Sequence, residues 1–142
     1  MPFEQDLDTF SRTLYGEGRG EYTKPDGGLA ALIAIANVVM NRVKQKSWFG
    51  KTIRDVCLKP WQFSCWNKDD PNYPIILAVT KADPLFEICH QVATAVSDDR
   101  WPDLTKGSDH YFSSILQVHP KWAQNRLPNF RLGRHQFYKL GA

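Results

Sequence analysis

The opening Met1-Pro2-Phe3-Glu4-Gln5-Asp6 has neither the basic start nor the apolar run of a secretory signal, so a chain synthesised without one is expected. Long hydrophobic runs are missing as well. The longest, Leu29 to Met40, is interrupted by Asn37 and fits a buried helix better than a bilayer span. Cysteine is scarce. Cys57, Cys65 and Cys89 cannot all pair within one chain and match no zinc module, which reads as reduced, partly buried thiols of a protein made in a cytosol. His90, His110, His119 and His135 show no His-x-x-x-His or Glu-containing zinc spacing, so neither a metal nor another cofactor is expected. Charge of one sign is barely in excess: 18 Lys and Arg against 15 Asp and Glu leave +3, with no basic helix. That balance argues against nucleic-acid binding and leaves a mild attraction to anionic polymers. No repeat, low-complexity tract or linker divides the 142 residues, and a single domain, 1–142, is expected.

The composition that remains is globular: 42% apolar, 13% aromatic and 23% charged residues exclude disordered, collagen-like and coiled-coil classes. Phe3, Leu7, Phe10 and Leu14 predict an amphipathic first helix, which Gly16, Gly18 and Gly20 are expected to end abruptly. Asp26-Gly27-Gly28 predicts a turn into a longer helix striped with Leu29, Leu32, Ile33, Ala36, Met40 and Val43. Its neighbouring face, Ala30, Ala34, Asn37 and Asn41, suits contact with another element or a cleft. A short helix fits between Thr52 and Leu58, before Pro60, and an aromatic-rich loop follows from Trp61 to Asn67. Asp83-Pro84 reads as an N-cap and first helical residue for a helix facing inward through Leu85, Ile88, Cys89, Val92 and Val96. His110 to Ser113 and His135 to Tyr138 are strand-like and suited to pairing. The class is therefore α+β, mainly helical, with a small antiparallel sheet near the C-terminus.

Chemistry concentrates in Leu14-Tyr15-Gly16-Glu17-Gly18-Arg19-Gly20-Glu21. A carboxylate at the end of a buried helix, flanked by glycines, can face a cleft with backbone close around it. Low-dielectric walls favour the neutral, protonated carboxyl that a general acid requires. A helix end with solvated charges explains the same residues, and by spacing alone both readings stand.

The segment Tyr15-Gly16-Glu17-Gly18-Arg19-Gly20-Glu21, with Val38-Val39-Met40-Asn41-Arg42-Val43 on the next helix, resembles the spore cortex-lytic enzyme and cell-wall hydrolase family. Gln62-Phe63-Ser64, His110-Tyr111-Phe112 and Gly133-Arg134-His135-Gln136-Phe137-Tyr138 agree with it in type and order, so the resemblance spans roughly residues 10 to 138. It implies a compact lysozyme-like domain that cuts peptidoglycan at the β-1,4 bond between N-acetylmuramic acid and N-acetylglucosamine. The family's catalytic acid falls on Glu17. In a lytic transglycosylase one carboxyl group serves as acid and then base, and the muramyl C6 hydroxyl closes a 1,6-anhydro end. Glu21 is the rival carboxylate, or else supports the turn through Arg19 or Arg42. Asp26 and Asp109 are alternative second carboxylates for hydrolysis. The resemblance places Ser64 and Tyr111 at the sugar, and Trp66 is assigned with them to substrate. Trp61 and Trp122 also suit stacking on sugar faces, with core packing the alternative for each tryptophan. Tyr15, Asn41 and Arg42 are expected to support the site, with Tyr15 beneath the acid and Asn41 and Arg42 bracing its turn.

Gly18 stands where the family often has alanine, and the stretch from Cys65 to Pro84 looks like a local elaboration able to reshape the cleft rim. The short, signal-less form resembles a phage or prophage endolysin. Such a protein would be a monomer without stable membrane association, acting on glycan strands in the periplasm or wall once a separate factor permeabilises the membrane. Two other classes stay open: a wall-binding module of the same fold, and a Cys/His peptidase using Cys65 with His110 or His135. Thiol alkylation separates the last from the rest, because it inactivates a cysteine enzyme and leaves a glycosidase working.

Overall fold

The computed structural model describes residues 3–141. Helix α1 spans Glu4–Tyr22, α2 Leu29–Gln45, α3 Ile53–Leu58, α4 Tyr73–Ala78 and α5 Pro84–Ser97, with a 3-10 turn at Ser64–Trp66. Strands β1 (His110–Ser113), β2 (Phe130–Leu132) and β3 (His135–Tyr138) follow, with another 3-10 turn at Lys121–Ala123. The expected α+β class, helices first and a small antiparallel sheet last, is what the chain forms. No helix among the described residues is long and apolar enough to cross a membrane.

Helix α1 does not stop at its glycines. It runs through Gly16, Gly18 and Gly20 to Tyr22, and none of the three has a positive φ. Their use is closeness. A Cβ on Gly16 would stand 2.6 Å from Cys65 Cβ and 2.9 Å from Ile76 Cγ2, and one on Gly18 would stand 2.7 Å from Leu32 Cδ2. Bare backbone at these positions seats α1 against the 3-10 turn, α4 and α2 at once. Phe10 and Leu14 are fully buried as expected, but Phe3 is exposed and sits just outside the helix.

Helix α2 starts from Gly28, whose φ of 66° favours glycine, and ends at Lys46 in the left-handed region. It is enclosed on most sides rather than along one stripe. Leu32, Ile35 and Val39 join the main core with α1, α3 and α5, whereas Ala34 and Val38 pack on Phe137 of β3. Leu29, expected in the stripe, is largely exposed. The small and polar face meets neighbours: Asn37 Oδ1 accepts from Leu104 N at 3.0 Å, and Asn41 Nδ2 donates to Asp103 Oδ2 and Ser108 O, each at 2.9 Å.

The expected cap of α5 forms: Asp83 Oδ1 accepts from Leu85 N at 2.9 Å and Phe86 N at 3.3 Å. Thr52 caps α3 in the same way, its Oγ1 accepting from Asp55 N at 3.0 Å. Helix α4 is not predicted by the sequence pattern; Pro74 lies in its first turn, where a missing N–H costs nothing. It buries Ile76 on α1, and Arg12 Nη1 donates to Ile76 O at 2.6 Å and Val79 O at 3.0 Å. The sheet order is β1-β3-β2, all antiparallel, with Tyr111 opposite Phe137 and Phe130 on its other side. Three residues of β2 are too few to show a period in the sequence.

Gly16→Ala is expected to lower stability by roughly 1–3 kcal/mol through overpacking, despite alanine's better helix propensity. Gly20→Ala, where a Cβ meets nothing within 4 Å, is expected to raise it by about 0.5 kcal/mol. Denaturant melts of the two variants check the pair; equal effects would contradict the close-approach account.

Candidate active site

Because α1 continues as a helix, Glu17 and Glu21 sit one turn apart on one face, and the structure gives them opposite surroundings. Glu17 Oε1 accepts from the Tyr111 hydroxyl at 2.8 Å. Its Oε2 accepts from Cys65 N at 3.1 Å and, at the outer limit of a hydrogen bond, from Ser64 Oγ at 3.5 Å. The carboxylate is half-buried in a cleft of about 290 Å³ walled by Arg42, Trp61, Gln62, Ser64, Tyr111, Phe112, Ser113, Leu116 and His135. Burial, and next the Glu17 charge, push the Tyr111 hydroxyl well above the usual tyrosine range, so it remains a proton donor to Oε1.

Arg42 is buried at the floor of this cleft. Its guanidinium lies 4.4 Å from the centre of the Phe49 ring and 5.0 Å from that of Phe63, and Nε donates to Asp109 O at 2.8 Å. Burial lowers its pKa, against the pull of Tyr111, Asp109 and Glu17, but from so high an ordinary value that the guanidinium stays a cation beside the carboxylate. His135 enters from β3, its ring 5.0 Å from that of Tyr111, and burial lowers its pKa and favours the neutral imidazole. From the sequence His135 has a chemical role only in the metal and peptidase alternatives; its place in the late Gly-Arg-His motif is the signal that points to the cleft.

Glu21 belongs to the frame. It is buried, with Oε1 accepting from Arg134 N at 2.9 Å and Oε2 from Arg134 Nε at 2.9 Å and Nη2 at 2.7 Å. Its partner is therefore Arg134 on the β2–β3 turn, and neither Arg19 nor Arg42. Burial works to raise the Glu21 pKa, but the Arg134 hydrogen bonds outweigh it and the net shift is downward. Gly133 permits the approach: its φ is 55°, and a Cβ there would stand 3.1 Å from Glu21 Oε1.

The other candidate carboxylates lie elsewhere. Asp109 is fully buried and accepts from Gln45 Nε2, Leu140 N and Gly141 N and pairs with His110 Nδ1, bonds that overcome its desolvation and hold it far below the usual carboxylate range. Asp26 is exposed and does not line the cleft. Tyr15 is not beneath the acid; its hydroxyl donates to Asp83 Oδ2 at 2.7 Å and ties α1 to the start of α5. Asn41 braces the Asp103–Ser108 loop instead of the Glu17 turn. Trp66 is turned from the cleft, its indole N–H donating to Thr13 Oγ1 at 2.9 Å, and Trp122 packs among His110, Phe112 and Tyr138. Of the stretch from Cys65 to Pro84, Cys65 N reaches Glu17, and Trp66, Asn67, Lys68 and Asp69 line a depression that adjoins the cleft at Trp61.

All three cysteines are free and buried. Burial raises the thiols of Cys57 and Cys89 to about 12 and that of Cys65 higher still, with the Glu17 charge adding to it. A neutral thiol packed on Gly16 is no nucleophile, and the Cys/His peptidase alternative falls. Among the described residues no three His, Cys, Asp or Glu side chains gather as a metal site.

A model of the cell wall hydrolase family matches residues 28–138, most of the chain. The chain belongs to the cell wall hydrolase family. The match takes in Arg42, Ser64, Tyr111 and His135 and begins after Glu17. In structure this cell wall hydrolase is similar to the catalytic domain of the germination-specific lytic transglycosylase SleB from Bacillus anthracis, with a TM-score of 0.64 and 24% identity over 96% of each chain. It is also similar to the catalytic domain of the SleB protein from Bacillus cereus, with a TM-score of 0.68 and 24% identity over 98% of this chain and 93% of that one. At that identity the likeness concerns the fold, and it agrees with the expected lysozyme-like architecture. No curated protein matches the chain.

Two outcomes follow for this hydrolase. Glu21→Gln lowers stability at neutral pH by roughly 2 kcal/mol, less than a fully enclosed pair because 37% of the Arg134 side chain is open to water. Since the folded pKa of Glu21 is depressed, its contribution is complete above the ordinary value of 4.5 and is lost as pH falls through the folded value. Melting curves of wild type and variant therefore converge in acid. Iodoacetamide at neutral pH labels the native protein far more slowly than the denatured chain; rapid native labelling at Cys65 would contradict the buried-thiol assignment.

Proposed function

We propose that this cell wall hydrolase cleaves peptidoglycan glycan strands as a lytic transglycosylase, with Glu17 as acid and base. One observation carries the reading: among the residues lining the cleft Glu17 is the single carboxylate, and three donors from separate residues converge on it. Retaining and inverting glycosidases need a second carboxyl group ~5–9.5 Å away to attack C1 or activate water. Glu21, the sequence neighbour suited to that part, is engaged by Arg134, and Asp26 and Asp109 lie outside the cleft. One carboxyl group suffices when the attacking hydroxyl belongs to the substrate. The lytic transglycosylase activity by which the Bacillus anthracis neighbour is known is the same chemistry.

In the proposed course protonated Glu17 gives its proton to the glycosidic oxygen as the C1–O4 bond between N-acetylmuramic acid and N-acetylglucosamine breaks. The muramyl C6 oxygen then bonds to C1 as its proton passes to the Glu17 carboxylate. The proton count returns to its start and a 1,6-anhydro end is left. Oε1 accepts one hydrogen bond and Oε2 two, one of them the long Ser64 contact, so the carboxyl group keeps capacity to face the leaving oxygen. Tyr111 fixes Oε1, and Arg42 below stabilises the carboxylate between the two steps. In this reading the protein is a single catalytic domain that acts as a monomer and reaches the wall through a separate membrane-permeabilising factor.

Glu17→Gln is expected to reduce clearing of purified sacculi by at least about a hundredfold with the fold intact. Tyr111→Phe, which removes one charge-assisted hydrogen bond, is expected to lower kcat about tenfold to a hundredfold. Turbidity assays beside circular dichroism check both, and a Glu17→Gln variant that clears sacculi at the wild-type rate would overturn the assignment.

A further inference from the structure

The loop before the 3-10 turn holds a tryptophan where local geometry asks for glycine. Gln62 N donates to Lys59 O at 3.2 Å, closing Lys59-Pro60-Trp61-Gln62, and Trp61 has a φ of 68°. Proline second and a positive φ third is the pattern of a type II turn, whose third position is normally glycine or asparagine. The ring gains nothing inside the protein to offset this. Trp61 is 83% exposed, and among the described residues its indole N–H has no acceptor and its ring no aromatic or cationic partner. Trp66 and Trp122, by contrast, are anchored in the fold.

Its position is specific. Trp61 lines the Glu17 cleft and also an adjoining depression of about 550 Å³. That depression is walled on its polar side by Lys59, Asn67, Lys68 and Asp69, two cations against one carboxylate, and floored by Phe63 and Trp66. The ring is therefore the one aromatic surface joining the carboxylate to a second concavity, and strain at such a residue points outward, to what it contacts when ligand is bound.

We propose that Trp61 is a stacking platform for a sugar ring beyond the cleavage point, so that the glycan strand runs from the Glu17 cleft over Trp61 into the Lys59–Lys68 depression. The inference rests on the glycan-cleaving reading of Glu17. A pyranose presents an apolar C–H face to the indole, while the two lysines meet the lactyl or stem-peptide carboxylates of a muramyl residue. The subsite makes the enzyme favour long strands over short ones.

The test uses fluorescently labelled peptidoglycan tetrasaccharides and octasaccharides, with binding read by anisotropy in the Glu17→Gln background so that no cleavage intervenes. The octasaccharide is expected to bind about tenfold more tightly than the tetrasaccharide, an advantage that falls below about twofold in Trp61→Ala and Trp61→Gly and is largely kept in Trp61→Phe. Trp61→Gly is also expected to melt no lower than its parent, since glycine suits the turn. An undiminished length preference in Trp61→Ala and Trp61→Gly overturns the platform. So does a preference lost only together with folding, read as a fallen melting temperature in both. Failure of the parent reading is seen separately, as wild-type protein that releases no glycan fragments from sacculi.

Discussion

With no side chain at Gly16, helix α1 lies directly on Cys65, so close that the Cys65 amide reaches the Glu17 carboxylate at 3.1 Å. Gly18 lets Leu32 and Ile35 of α2 press on the adjoining turn. The proposed acid, Glu17, therefore stands between two close approaches to α1, held by a helix and not by a flexible loop. Catalytic groups need placement to a fraction of an ångström, and rigid elements supply it better than loops. The cleft's other walls follow: the 3-10 turn brings Ser64 because it carries Cys65, and the sheet brings Tyr111 because Phe137 behind it packs on α2.

The second anchor is the Glu21–Arg134 pair one helical turn away. It fixes α1 to the β2–β3 turn, and β3 in turn aligns β1, from which Tyr111 reaches Glu17. Two glutamates four residues apart thus divide the work, one lining the cleft and one closing the fold around it. Their different surroundings arise from the partner element each meets, since the helix presents both alike.

Much of this is legible in the sequence. The apolar steps of α1 and α5, the Asp83-Pro84 cap and the pairing of the two aromatic strands follow from spacing and local chemistry, and the ordered motifs bring Glu17, Ser64 and Tyr111 together. What is not legible is hidden for a physical reason. Glycine's helix penalty of about 1 kcal/mol is a local quantity, whereas the packing gained at Gly16 and Gly18 depends on elements 14 to 60 residues away. The Arg134 partner of Glu21 lies 113 residues on, beyond any local pattern. Trp66 and Trp61 read alike as loop aromatics suited to sugar or to core, and only the fold distinguishes an indole bonded to Thr13 from one left facing the cleft. Strand β2 and helix α4 are too short to announce a period.

The central claim is that one carboxylate, served by a hydroxyl of the substrate, carries the reaction. Digestion of sacculi in water enriched in heavy oxygen, followed by mass spectrometry of the released fragments, tests it most directly. Anhydro-muramyl ends carrying no heavy oxygen are the predicted result. Reducing muramyl ends labelled by the solvent would show water attacking C1 and would contradict the account.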